Sequence, residues 1–287
     1  MMETPALHAK KILFYTLLAL FAFAANSLFC RMALGKALID GTSFTLIRLL
    51  SGSITLVVIT LLFKKSTWQS VPMDYRAAGF LFLYAITFSF AYGYLSTGTG
   101  ALILFGSVQA TMIGVALWRG ERPHPIEWVG LILALTGLVY LVFPSLNAPP
   151  LTGSLLMAVA GIAWGGYSLR GRGVHHPITA TTKNFIGTLP LALLISLLMW
   201  QSAHYSLQGI ILAILSGALA SGVGYAIWYT ALTGLTATRA ATVQLSVPII
   251  AALAGVIFLG EILSLHLIIA SFLILGGIGL AVFARKL

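Results

Sequence analysis

The chain has 287 residues, of which 59% are hydrophobic and only 8% charged, against roughly 25% charged in soluble domains. A soluble core is excluded: apolar runs of about 20 residues, long enough to cross a hydrocarbon core as a helix, recur from end to end. The net charge of +10 marks no nucleic-acid surface, because the basic residues fill short gaps between those runs and report orientation instead.

In chain order, the apolar windows predict helices at 12–30, 43–63, 76–95, 98–117 and 126–143. Lys10 and Lys11 precede the first run, and Ala22-Phe23-Ala24 within it fits a signal-peptidase site. The run continues to Cys30, which favours an uncleaved first helix. That single cysteine excludes an intramolecular disulfide, and no Cys/His spacing calls for a metal or cofactor. The turn signal Asn147-Ala148-Pro149-Pro150 separates a second set of helices at 152–169, 180–200, 207–230, 239–259 and 265–284. The expected organisation is a five-helix repeat over 1–146 and a second over 151–287.

The two sets echo each other. Residues 164–172, Trp-Gly-Gly-Tyr-Ser-Leu-Arg-Gly-Arg, echo residues 23–31, Phe-Ala-Ala-Asn-Ser-Leu-Phe-Cys-Arg, which puts Tyr167 opposite Asn26. Residues 41–48 align with 177–184, putting Asn184 opposite Arg48. Ser107-Val108-Gln109 aligns with Ser246-Val247-Pro248, and Gly120-Glu121 with Gly260-Glu261. An odd number of helices per repeat sends the second repeat into the membrane from the other side, an inverted arrangement. With the N-terminus inside, the inner segments hold Lys10, Lys11, Lys64, Lys65, Arg76, Arg119, Arg122, Arg170, Arg172, Lys183, Arg239, Arg285 and Lys286, and the outer ones only Arg31 and Lys36. Both termini are therefore expected on the cytoplasmic side.

Ten helices in two halves, Arg48 early in the second helix, and the run Ala237-Thr238-Arg239-Ala240-Ala241-Thr242-Val243-Gln244-Leu245-Ser246-Val247-Pro248 followed by Leu259-Gly260-Glu261 resemble the exporter branch of the drug/metabolite transporter superfamily. The resemblance implies an all-α protein of the bacterial inner membrane. Ten transmembrane helices, as two inverted repeats, would surround a central cavity lined by helices one to four and six to nine. It also implies export of small metabolites, with amino acids, aromatic ones included, as the first class. The first half departs from the pattern, carrying Phe23-Ala24 where a Trp-Gly pair is usual.

The third predicted helix spaces Tyr84, Phe88 and Tyr92 four apart on one face, and the eighth carries Tyr225, Trp228 and Tyr229 beyond a small-residue run. Both stripes suit a wall that stacks on a planar or apolar side chain; lipid-facing or interfacial positions are the alternative, which suits Trp68, Trp118, Trp128 and Trp200. Trp164 and Tyr167 lie beside Gly161, Gly165 and Gly166, which also suit close helix packing. Asn26, Gln109, Asn184, Gln244 and Arg48 are polar residues deep in apolar runs, where an unpaired polar group is costly. The Arg48 fork suits a substrate carboxylate; snorkelling to the helix end or capping neighbouring carbonyls are its structural alternatives. Pro190 and Pro248 are candidate hinges, while Glu121 and Glu261 are candidate gates.

All six acidic residues, and all six histidines, fall at termini or helix ends. An intramembrane enzyme would need such groups within helices at matching depth, and a proton pump normally keeps a titratable group mid-membrane. The reading is a carrier, not an enzyme, whose partners are a small-molecule substrate and the bilayer, with no nucleic acid and with a monomer sufficient. Multidrug, nucleobase or sugar-derivative export, and a channel, are the alternatives.

Overall fold

A computed structural model describes residues 5–63, 68–120, 124–142, 149–262 and 265–283; Glu121 lies outside them. The helices are α1 (Pro5–Leu34), α2 (Gly41–Phe63), α3 (Tyr75–Tyr92), α4 (Thr97–Trp118), α5 (Pro125–Val142), α6 (Leu151–Gly171) and α7 (Pro177–Leu198). They continue as α8 (Leu207–Ile214), a π-helical segment (Leu215–Val223), α9 (Gly224–Leu232), α10 (Ala237–Gln244), α11 (Val247–Leu259) and α12 (Leu265–Phe283). Among the described residues five stretches are long and apolar enough to cross a membrane: Lys10–Leu34, Gly41–Leu62, Thr97–Trp118, Pro177–Leu198 and Leu207–Leu232.

Helix starts are set by short polar side chains that satisfy free amides. Asp74 accepts from the amides of Arg76 and Ala77 at 3.1 and 3.0 Å, and Asp40 from those of Thr42 and Ser43 at 3.0 and 2.9 Å. Asp40 also accepts from the His204 amide at 3.0 Å, tying the start of α2 to the turn before α8. Burial alone would raise both carboxyls. The donors from Ser43, His204 and Thr42 overcome it at Asp40, and Arg170 with the Ala77 and Arg76 amides overcomes it at Asp74, so both sit below the usual aspartate range.

Two predicted helices are not continuous α-helix. The one expected at 239–259 breaks between α10 and α11, because Pro248 has no N–H for the Gln244 carbonyl. The chain closes the junction with tighter turns, Ser246 N–H to Val243 O and Ile249 N–H to Ser246 O, both 3.2 Å. The one expected at 207–230 winds as π-helix over its small-residue stretch. Pro190, by contrast, lies inside α7 without ending it.

The helices pack in matched pairs: α2 on α7, α4 on α11, α5 on α12, α3 on α6 with α1 on α9, and α4 on α6 with α1 on α11. Phe23 and Ala24 are buried in the core between them. Glycine permits the tightest approach of α6 to α4: a Cβ on Gly161 would lie 2.4 Å from the Leu104 carbonyl oxygen. Gly161→Ala should therefore force the helices apart and lower the thermal stability of the detergent-purified chain by about 1–3 kcal/mol. Gly79→Ala, where an added Cβ meets nothing within 4 Å inside α3, should instead raise the unfolding temperature slightly, because alanine loses less backbone entropy in a helix.

Candidate functional site

α1, α2, α3, α6 and the π-to-α9 rod each send a side chain to one buried cluster. Its centre is Arg48, 1% exposed, so it neither reaches the helix end nor meets water; burial in the bundle, not snorkelling, is its state. Nε donates to Ser221 Oγ at 3.0 Å, and Nη2 donates to Tyr84 Oη at 3.1 Å and Tyr225 Oη at 2.6 Å. Nη1 is buried with no hydrogen-bond partner. The guanidinium also lies 5.2 and 5.1 Å from the ring centres of Tyr84 and Phe88, a weak substitute for a counter-charge.

The surrounding groups are rich in donors and poor in acceptors. Asn26 Nδ2 donates to Tyr84 Oη at 3.1 Å and Tyr225 Oη at 3.4 Å, Tyr225 Oη donates to Tyr84 Oη at 3.0 Å, and Ser216 Oγ donates to Asn26 Oδ1 at 2.6 Å. No carboxylate pairs with Arg48 among the described residues. Such a locus is chemically suited to an anion with two acceptor oxygens.

Helical phase explains how the two serines reach it. Ser216 and Ser221 stand five residues apart, about 140° around an α-helix but only roughly 50° in a π-helix with its i→i+5 bonds. The π segment thus turns both toward Asn26 and Arg48. Its glycines let α2 come close enough, since a Cβ on Gly217 would overlap the Arg48 carbonyl oxygen.

Aromatic rings cover the cluster. Trp164 lies 4.9 Å from Tyr84, 4.5 Å from Tyr225 and 5.2 Å edge-on from Phe23, centre to centre. Its indole N–H donates to Gln244 Oε1 at 2.8 Å, fastening the site to the last turn of α10. Phe23, the departure noted in the first half, thereby belongs to the same ring cluster as the Trp it would replace.

Other sequence candidates sit around this centre. Trp228 is buried, its Nε1–H donating to Ser168 Oγ at 3.3 Å. Tyr167 stacks on Tyr229 at 4.7 Å, with its hydroxyl toward Thr181 and Asn184 but in no hydrogen bond of good geometry. Asn184 is thus buried beside Tyr167. Gln109 is buried with Oε1 unpartnered and stands outside the Arg48 network. Tyr92 stacks edge-on with Phe88 but belongs chiefly to the bundle end, where its carbonyl accepts from Arg31 Nη1 at 3.2 Å. Of the tryptophans assigned to the interface, Trp118, Trp128 and Trp200 are 87%, 37% and 69% exposed, while Trp68 is half-buried with the Lys183 ammonium 5.1 Å from its ring centre.

At that end Glu261 Oε1 accepts from the Thr97 amide and hydroxyl, both 3.1 Å, and lies 3.7 Å from Arg31 Nε. Gly260, left-handed at φ 65°, turns the chain back after α11 and aims Glu261 inward. A pocket of about 320 Å³ opens at the same end, with Asp40, Ser89, Tyr94 and His204 among its walls. At the opposite end Arg170 Nε donates to Asp74 Oδ2 at 2.7 Å, joining α6 to α3. Sequence reasoning missed Ser216 and Ser221; their i, i+5 spacing within a glycine-rich run was the available signal.

The profile of the EamA-like transporter family matches residues 151–283. The chain is 47% identical over 276 residues to the uncharacterized protein PA1977 of Pseudomonas aeruginosa, covering 96% of each chain. It is 32% identical over 206 residues to the threonine/homoserine exporter RhtA of Escherichia coli strain K12, covering 67% of each. A crystal structure at 20% identity superposes with a TM-score of 0.71 over 94% of this chain and 97% of its own, which shows the same fold. The chain belongs to the EamA-like transporter family of the drug/metabolite transporter superfamily, multi-pass membrane proteins that are transporters and not enzymes.

Proposed function

We propose that the protein exports amino acids, aromatic ones among them, by alternating access between two inverted five-helix halves. The observation that carries this is Arg48 Nη1, a buried charged donor with no partner amid further donors. A substrate carboxylate supplies the missing acceptors and the missing negative charge, and a buried cation gains most from such a partner. Beside it, the rings of Trp164, Tyr84 and Tyr225 offer faces to a planar or apolar side chain and to an ammonium group. The RhtA relative is an exporter of threonine and homoserine, which supports the amino-acid class.

The packing of α2 on α7, α4 on α11 and α5 on α12, with α3–α6 matched by α1–α9, supports a repeat in which each half mirrors the other's contacts. Ten membrane crossings then follow, α8 to α9 forming one and α10 with α11 another. Rocking of the halves would open the Arg31–Glu261–Thr97 group at one end and the Asp74–Arg170 pair at the other in turn. Pro190 and the break before Pro248 serve as hinges, and the repeat assigns Glu121 the gating task that Glu261 has. The charge asymmetry supports placing the termini on the cytoplasmic face of a bacterial inner membrane, with one chain building the whole site. Tyr167 with Asn184, Gln109, Gln244 and Trp228 form its outer wall.

Three outcomes test this reading. Arg48→Lys keeps the charge but loses the fork, and should raise the apparent KM for threonine and phenylalanine in proteoliposomes about ten- to a hundredfold, the loss of a charge-assisted contact. In a competition assay tryptophan, tyrosine and phenylalanine should displace labelled substrate, whereas a lipophilic cation should not; displacement by the cation points to multidrug export instead. Since no carboxylate or histidine joins the Arg48 network among the described residues, an imposed pH gradient alone should drive no accumulation of phenylalanine, and accumulation that tracks the gradient refutes uncoupled transport.

A further inference from the structure

Arg48 presents two edges to the site. Ser221 occupies Nε, both Tyr225 and Tyr84 occupy Nη2, and Nη1 alone is open. A carboxylate that binds in the forked geometry takes one N–H from each of Nη1 and Nη2, or from each of Nε and Nη2, and the open Nη1 lies only on the first of these edges. Nη2 is taken by phenol oxygen in this structure, and the shorter bond, 2.6 Å, is that of Tyr225.

We infer that the Tyr225 hydroxyl is a resident stand-in for the substrate carboxylate, and that its displacement couples binding to movement of the helix that carries it. This rests on the reading of Arg48 as the carboxylate site. Tyr225 and Tyr84 hold Nη2 together, but their supports differ. Tyr84 stands in the unbroken helix α3, anchored by its Asp74 cap. Tyr225 is the second residue of α9, immediately after the π segment. A π run is a rare winding that occurs mostly as short interruptions of α-helix, often at functional sites, so an α register is the ordinary alternative for this stretch. Releasing the phenol from Arg48 removes one of the polar contacts that hold α9 in its present phase, the one at its junction with the π segment. In α register Ser221 would also turn away from Nε, so one event loosens both hydrogen bonds from Arg48 to this rod. The carboxylate thereby spends part of its interaction with Arg48 on expelling a competitor, and that part appears as motion and not as affinity.

The consequence is an opposed pair of effects. Tyr225→Phe keeps the ring contacts to Trp164, Phe23 and Phe185 and removes only the oxygen. Without a competitor, substrate should bind about three- to tenfold more tightly, while the maximal rate should fall by at least as much, because binding no longer releases the rod. The test is initial-rate transport of labelled threonine and phenylalanine by the full chain in proteoliposomes, with equilibrium binding to the detergent-purified chain as a readout that needs no turnover. Tighter binding with slower turnover is expected. A raised KM at unchanged maximal rate in Tyr225→Phe, with Arg48→Lys still weakening binding, overturns the displacement and leaves the carboxylate site standing. The opposed effects appearing in Tyr84→Phe and not in Tyr225→Phe overturn the assignment to Tyr225. Unchanged binding in Arg48→Lys overturns the carboxylate reading and the displacement together.

Discussion

A permanent positive charge held out of water constrains everything around it. Arg48 is sealed inside the bundle, where an isolated ion is costly and hydroxyl dipoles offset only part of that cost. Four of the five elements that meet there do so through polar atoms placed around this one group. Arg48 on α2 meets Ser221 at Nε and Tyr84 and Tyr225 at Nη2, with Asn26, held by Ser216, ordering the phenols, while α6 adds the Trp164 ring. Mutating it to an apolar residue would strand those hydroxyls in turn, so the cluster behaves as a unit. What the unit lacks is an acceptor with charge, the feature that the proposed substrate carboxylate would supply.

The way the helices come together follows from the same demand. Arg48 cannot meet Ser221 unless α2 lies backbone against backbone on the π segment. Gly217 and Gly52 make that approach possible, with a Cβ at Gly52 meeting Phe185 at 2.5 Å and the Gly217 carbonyl at 2.9 Å. The π winding supplies the remaining degree of freedom, bringing two serines five residues apart to one face. The second half has no arginine to solve for: Asn184 stands where the alignment puts Arg48, and lies buried beside Tyr167. At this aligned pair one position holds a buried permanent charge and the other a buried neutral amide.

The ends of the bundle are fastened more lightly than its centre. Arg31, Glu261 and Asp74 with Arg170 are partly exposed charges, and such pairs contribute little to stability. That suits contacts that must break and reform, whereas the buried aromatic cluster around Trp164 is packed as core. The bundle thus carries partly exposed ion pairs at its ends and a buried polar and aromatic cluster at its middle.

Composition and periodicity alone determine much here. Apolar runs declare a membrane protein, their spacing marks most of the helices, and the isolated polar residues within them, Asn26, Arg48, Gln244 and Asn184, are conspicuous because burying them is costly. The aromatic spacing of Tyr84 and Phe88 likewise reads as one helical face. Three things required the tertiary structure. Whether Arg48 snorkels or stays inside depends on which helix covers it, and a linear pattern holds no such information. The break before Pro248 was not distinguishable from a kink, because a freed carbonyl permits either and neighbouring helices decide. Above all, Ser216 and Ser221 have the wrong spacing for a shared face of an α-helix, so only the π winding turns Ser216 to Asn26 and Ser221 to the Arg48 guanidinium.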